Sequence, residues 1–224
     1  MKVLIVNGDP KAGGFIGGAL TIVSGYLSAR GVEAREVRLH ELDIRDCIGC
    51  FNCLKTGHCV LKDDMEFVIP QLLEADGFVI GSPVRNGLTT ACFKRFYERI
   101  TYPLGFPLLL EDKYVLAISC VGYMGGKRIN KRHLGLQDVF HSRLVDYLFF
   151  KVGVPTRIDP GIAKSRLEKG AGRLLAHMEA RPPRPLVRRL LFAVDRAVMG
   201  RFVFGPNPGT YASVVEVWKG KGYL

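Results

Sequence analysis

The six cysteines are spread unevenly along the 224 residues. Four fall in one short run, Cys47-Ile-Gly-Cys50-Phe-Asn-Cys53-Leu-Lys-Thr-Gly-His-Cys59. Cys47, Cys50 and Cys53 are spaced three apart, so a tightly turning loop can bring three sulfurs to one point. Gly57 can take the positive φ that returns Cys59 to them. Four thiolates on one loop make a soft, charge-rich cage suited to an iron–sulfur cluster or zinc. Structural zinc usually draws on two separated cysteine pairs, whereas one compact run is closer to ferredoxin ligation. The run still differs from a ferredoxin's: five residues precede the last cysteine, Val60 stands where proline would, and no second run exists. A self-contained [4Fe–4S] site on Cys47, Cys50, Cys53 and Cys59 fits best, with zinc and plain thiols or disulfides left as alternatives. Cys92 and Cys120 sit in apolar settings and read as small buried hydrophobes.

A second chemistry belongs to the backbone. The apolar run Lys2–Asn7 leads into the Gly-rich stretch Gly8 to Gly18, and a helical pattern follows from about Ala19 to Arg30. A strand, a Gly-rich loop and a helix N-terminus together cradle an anion, since N–H groups and the helix dipole point at it. The loop has no Gly-Lys-Ser/Thr and does not fit Gly-x-Gly-x-x-Gly, so it is neither a Walker loop nor a dinucleotide fingerprint. Two further loops follow apolar runs: Gly81–Gly87 after Gly77–Gly81, and Val121–Gly126 after Tyr114–Ser119.

The elements that must position these loops can be read in order. A second strand fits Glu33–Leu39, with Ala34, Val37 and Leu39 inward. Asp63-Asp64 caps a helix to about Ala75, which Pro70 should kink or break. A helix runs from about Thr89 to Ile100, a long amphipathic helix fits Leu136–Val152, Thr156–Ile162 is the expected fifth strand, and a helix follows over Ser165–Ala180. Strands alternating with helices, without hairpin signals, argue for a parallel α/β sheet covered on both faces. The three polar loops and the cysteine run then share its carboxyl edge, where ligands bind.

Three blocks resemble one family. Gly8-Asp-Pro-Lys11 is similar to the phosphate loop of flavodoxin-like FMN reductases. Gly81-Ser-Pro-Val-x-x-Gly87, with Phe93-Lys94-x-Phe96-x-Glu98-Arg99, is similar to their isoalloxazine loop and following helix. Cys47–Cys59, leading into Val60-Leu-Lys-Asp-Asp-Met65, resembles the cysteine motif of the iron–sulfur flavoproteins of anaerobes. The resemblance covers residues 1 to about 180. It implies a flavodoxin-like, doubly wound five-stranded parallel sheet of order 2-1-3-4-5 and FMN held by three loops. The first would contribute Asp9, Pro10, Lys11, Gly13, Gly14, Phe15, Ile16 and Gly17. The second would contribute Ser82, Pro83, Val84, Arg85, Asn86 and Gly87. The third would contribute Ser119, Val121, Gly122, Tyr123 and Gly126. It also implies a [4Fe–4S] cluster near the flavin and a homodimer or dimer of dimers.

No side chain is singled out as catalytic, because the cofactors carry the chemistry. The function implied is electron transfer between a low-potential donor, ferredoxin-like or NAD(P)H, and an acceptor. A NAD(P)H-dependent FMN or quinone reductase without a functional cluster is one alternative, and a redox-sensing regulator another. Two positions depart from the family. Ile16 stands where a phosphate-binding hydroxyl is usual, leaving the phosphate to backbone N–H groups around Gly13–Gly17 and to Lys11. Arg85 replaces an aromatic, either at the flavin edge or facing solvent or a neighbouring subunit. Tyr123 could stack on the flavin or shield a subunit contact. Lys127-Arg128 with Lys131-Arg132-His133 reads as a solvated face or a 2′-phosphate contact for NADPH.

The net charge of +11 belongs to the end of the chain: residues 151–224 carry 14 Lys and Arg against five Asp and Glu, residues 1–150 carry 18 against 16. Such a surface suits an acidic protein partner such as a ferredoxin. Nucleic acid is not expected, because no recognition motif is visible. Residues 1–180 read as the FMN-binding domain and 181–224 as a linker with an amphipathic extension. Arg181-Pro-Pro-Arg-Pro185 cannot continue a helix, while Leu186–Met199 puts Val187, Leu190, Leu191, Val194 and Val198 on one stripe. Packing of that stripe on its own domain or a partner subunit is expected, with peripheral membrane contact as the alternative. The chain opens on a strand pattern rather than a signal peptide and has no spanning apolar run, so a reducing, cytoplasmic setting is expected.

Overall fold

A computed structural model describes the chain from Met1 to Leu224 apart from Ala12, Arg157 and the side chain of Phe202. Five strands, β1 (Lys2–Asn7), β2 (Glu33–Arg38), β3 (Gly77–Pro83), β4 (Tyr114–Val121) and β5 (Arg143–Lys151), form one parallel sheet in the order β2-β1-β3-β4-β5. The central strands β3 and β4 are buried at every residue and β1 at all but Lys2, as their near-continuous apolar runs dictate. The edge strand β2 is mostly exposed.

Helices cover both faces. On one side, α1 (Phe15–Ser28) and α6 (Lys164–Ala180) pack Leu20, Val23, Leu27, Leu167 and Leu174 against Val79, Leu116 and Ile118. On the other, α3 (Met65–Glu74), α4 (Ala91–Ile100) and α5 (Lys127–Leu134) bring Val68, Leu72, Phe93, Phe96 and Leu134 onto Phe78, Ile80 and Val115. Pro70 neither breaks nor ends α3, which continues to Glu74.

The fifth strand departs from expectation. It is Arg143–Lys151, inside the stretch expected to be a long helix over Leu136–Val152. Leu136 and His141 both take positive φ, at 44° and 51°, which no right-handed helix admits. The run Leu-Val-Asp-Tyr-Leu-Phe-Phe that follows is rich in residues that favour a pleated surface. The strand expected over Thr156–Ile162 is not formed among its described residues, Arg157 lying outside them; Pro160–Ala163 is a short 3-10 turn.

The extension adds α7 (Leu186–Val198) and α8 (Ala212–Gly220). Here a third core forms, in which Phe204, Val214 and Trp218 from the extension join Leu108 and Leu54, the latter carried by α2 (Asn52–Thr56) inside the cysteine run. Among the described residues no helix is long and apolar enough to cross a membrane.

Candidate functional site

Helix α1 begins four residues earlier than the sequence pattern suggests, because Phe15 and Ile16 themselves belong to the core, 5% and 0% exposed. The Ile16 side chain lies in the sheet packing, against Leu20 and the backbone of Gly81. What remains for a ligand is backbone. The first intrahelical bond runs from Gly18 N–H to Gly14 O at 3.1 Å, so the N–H groups of Phe15, Ile16 and Gly17 have no helical carbonyl to bond. Gly13 turns the chain into them at φ +68°. These donors fit a phosphate. One neighbour works against it: Asp9, 4% exposed, accepts from Lys11 N–H at 3.0 Å, and a Cβ on Gly14 would stand 2.4 Å from its Oδ2. A carboxylate thus occupies the N-terminal end of α1.

The other two loops are tied to the first. Gly8 N–H donates to Gly81 O at 2.7 Å, and Thr90, the N-cap of α4, donates its hydroxyl to Gly8 O at 2.6 Å. Arg85 and Leu88 exchange backbone hydrogen bonds across a turn in which Asn86 and Gly87 both have positive φ. Pro83 is buried, Val84 half-buried and Arg85 exposed. A Cβ on Gly126 would come 2.8 Å from Gly87 O and 2.5 Å from Val84, so the second and third loops meet there. Asn130 holds Gly126 O at 2.9 Å. Cys120, at the end of β4, is buried, and burial first, then Asp9, opposed by Arg85, pushes its thiol up to about 12. Ser82 and Ser119 are fully buried and committed, Ser82 to Thr90 and Ser119 to the Tyr147 hydroxyl at 2.6 Å. They brace the loops from below. Tyr123 is 70% exposed, with its hydroxyl on Val154 O at 3.3 Å. On α5, Arg132 is engaged by Asp138, whereas Arg128 and Lys131 are exposed.

The cysteine loop follows β2 on the same edge. Gly49, Phe51 and Gly57 take positive φ and wind the chain around the short α2. Asn52 braces this turn, donating to Thr56 Oγ1 at 3.0 Å and to His58 O at 3.1 Å. All four cysteines are free. Among the described residues, no three His, Cys, Asp or Glu side chains converge closely enough to hold a metal ion, so the fully gathered cage expected from the spacing is not formed in the chain as it stands. The sulfurs nonetheless share one neighbourhood. Burial first, then Cys59, Cys47 and Cys50, pushes the Cys53 thiol up to about 11. A thiol that resists ionising, as Cys53 does beside the other sulfurs, suits a cation, whose charge reverses that penalty. The donor set fits a thiolate-ligated metal centre.

One residue ties the loop's two flanks to the rest of the site. Arg99, at the end of α4, donates through Nη1 to Arg45 O at 2.8 Å, and through Nη2 to Asp63 Oδ1 at 3.1 Å and Cys59 Sγ at 3.5 Å. Nη1 also closes on Asp63 Oδ2. Both side chains are buried, at 2% and 0% exposure. Burial alone would discourage Asp63 from ionising, but Arg99 and the N–H groups of Arg45 and Met65 hold its carboxyl below the ordinary range. Since Thr90 caps the other end of α4 over Gly8, one helix about 14 Å long joins the phosphate loop to the cysteine loop.

The extension supports the same loop. Leu54, between Cys53 and Cys59, is 1% exposed under Trp218 and Val214, and a Cβ on Gly57 would meet Ser213 at 3.0 Å. Trp218 is fixed by its indole N–H to Phe106 O at 2.9 Å. Neither Arg99 nor Trp218 is assigned a role by sequence reasoning. Arg99 could have been flagged: it sits on the apolar face of α4, three residues after Phe96, where a charge demands a partner.

Comparison with known proteins agrees with this geometry. Residues 1–143 match the NADPH-dependent FMN reductase family. An iron–sulfur flavoprotein of Methanocaldococcus jannaschii is 32% identical over 141 residues, covering 62% of this chain and 69% of that protein. An iron–sulfur flavoprotein of Clostridioides difficile is 22% identical over 228 residues and spans both chains entirely. Its match, unlike the resemblance read from the motifs, includes the extension. Among solved structures, the NAD(P)H:quinone oxidoreductase from Methanothermobacter marburgensis superposes with a TM-score of 0.61 at 18% identity, covering 79% of this chain and 98% of that one.

Proposed function

The chain belongs to the NADPH-dependent FMN reductase family, and from that premise we propose that it is an iron–sulfur flavoprotein passing electrons between a low-potential carrier and an acceptor. It is an FMN-dependent oxidoreductase with a flavodoxin-like fold. FMN exchanges one or two electrons and a [4Fe–4S] cluster one, so together they couple the two kinds of carrier. In this reading the N–H groups of Phe15, Ile16 and Gly17 hold the phosphate, and the loops meeting at Gly87 and Gly126 hold the ring system. Cys47, Cys50, Cys53 and Cys59 would hold the cluster as thiolates, giving up their protons as it binds. The observation that carries the reading is α4, which touches Gly8 at one end and Cys59 at the other.

The exposed rim of the cysteine loop, Ile48, Phe51 and Val60 beside Lys55 and Lys62, suits an acidic ferredoxin-like protein. Reduction of the bound flavin by reduced ferredoxin, slowing as salt rises, tests this; a rate indifferent to ferredoxin removes it. A second reading, a NAD(P)H-dependent reductase without a cluster, is favoured by the exposed Arg128 and Lys131 beside the third loop. It requires fast flavin bleaching by NADPH in protein lacking iron. Function as a homodimer or dimer of dimers in a reducing cytoplasm is part of the first reading.

A further inference from the structure

Helix α7 is mounted inside out. Its aliphatic stripe, Leu186, Val187, Leu190, Leu191, Val194 and Val198, is between 45% and 68% exposed. Its mixed face is the one turned to the domain. Phe192 packs edge-on against His141 and Tyr223, Asp195 lies 3.6 Å from the His141 Nε2, and the Arg196 guanidinium stacks over Phe192 and Tyr223. Both approaches are fixed. Arg143 holds Pro182 O at 2.7 Å and Arg184 holds Glu111 O before the helix, while Phe204, 1% exposed, anchors the chain beyond it. Rolling the stripe inward would undo all of these contacts, so its outward direction belongs to the fold.

Such a face needs an apolar occupant. A symmetric contact with a second copy is disfavoured by size and charge. A stripe thirteen residues long offers a few hundred Å², short of the roughly 800 Å² per partner of a stable interface. It would also set the exposed Arg188 and Arg189 against themselves, the exposed Asp195, 3.6 Å from His141 Nε2, being the sole acid between residues 181 and 205. Those arginines, with exposed Arg181, outnumber the single carboxylate of Asp195 and leave the surface around the stripe positive. An aliphatic strip about 20 Å long, bordered by cations, is complementary to an anionic bilayer surface: the stripe enters among the acyl chains and the guanidinium groups meet phosphate.

We propose that the outward face of α7 docks the protein in the plane of an anionic membrane surface. The test uses the full chain and vesicle flotation. Binding is expected to vesicles of phosphatidylglycerol mixed with phosphatidylcholine, to fall with added salt, and to be weak on phosphatidylcholine alone. The double substitution Leu190→Glu with Val194→Glu should reduce partitioning by about tenfold or more while leaving FMN content and the thermal midpoint unchanged, because both side chains are exposed. Unaltered partitioning of that variant overturns the proposal. So does failure of the parent to float with anionic vesicles, or a dimer in solution that this variant dissociates.

Discussion

The Nη2 of Arg99 lies 3.5 Å from the Sγ of Cys59 while the same guanidinium is forked onto Asp63, a side chain with no exposure. This places a fixed positive charge and a directed donor against one of the four sulfurs, from a helix whose other end is bonded to the phosphate loop. Both flanks of the cysteine run hang on that one side chain, through Arg45 O and Asp63.

Replacing Arg99 should therefore harm stability and metal loading together. Arg99→Met leaves Asp63 buried and unpaired, a loss of about 3–5 kcal/mol in urea unfolding. Arg99→Lys keeps the charge without the fork and should fall between the two. Iron per chain should drop in the same order while FMN is retained. A folded Arg99→Met protein with full iron would show that the guanidinium has no part in holding the centre.

The third core predicts a link between the extension and the cysteine loop. Trp218→Ala should cost about 3–5 kcal/mol and loosen Leu54 and the α2 turn it anchors. Trp218→Phe, which loses the bond to Phe106 O and part of the ring volume but keeps an aromatic against Phe204, should be milder. Hydrogen exchange across residues 47–59 should accelerate in Trp218→Ala and hardly change in Trp218→Phe. Equal protection in all three would separate the two segments.

At the phosphate loop, Asp9 is expected to weaken FMN binding. Asp9→Asn keeps an oxygen for Lys11 N–H and removes the charge, so the Kd for FMN should fall about tenfold, the 1.4 kcal/mol scale of one screened repulsion. Gly14→Ala should do the opposite, driving a Cβ into Asp9. Fluorescence titration of apoprotein with FMN reads both; looser binding by Asp9→Asn would mean that the carboxylate organises the loop instead.

Much of this architecture was legible in the chain. The first four strands, the three loops at one edge and the start of α4 follow from apolar runs punctuated by glycine, which local sequence encodes directly, whereas the strand order came from the family resemblance. The fifth strand was misplaced because Leu144, Leu148 and neighbouring aromatics satisfy a helical and a strand period alike. What decides between them is the positive φ at Leu136 and His141, which non-glycine residues do not advertise. Arg99, Trp218 and the inverted α7 were hidden for another reason. Their meaning lies in partners 36 or more residues away, Asp63 for Arg99 and Leu54 for Trp218, or in an outward face that resembles any core-seeking helix until its neighbours are placed.

Stability should weaken on acidification through His141. Burial first, then Arg184 and Arg188 against Asp195 and Glu111, lowers its pKa from the usual 6.5, so the folded state favours the neutral ring. The unfolded chain then binds the extra proton, and this contribution, complete above about pH 6.5, diminishes as pH falls below it. Urea midpoints should fall between neutral pH and the folded pKa, and His141→Gln should flatten the decline relative to the parent. An identical pH profile in both proteins would remove His141 from the balance.

The most direct measurement is elemental. Protein reconstituted anaerobically with iron and sulfide, then desalted, should hold about four iron and four sulfide with one FMN per chain. Replacing Cys47, Cys50, Cys53 and Cys59 by serine should abolish the iron and sulfide and leave the FMN. Reconstituted protein that binds FMN but no iron, or that holds only zinc, would contradict the cluster and leave a simple flavin reductase.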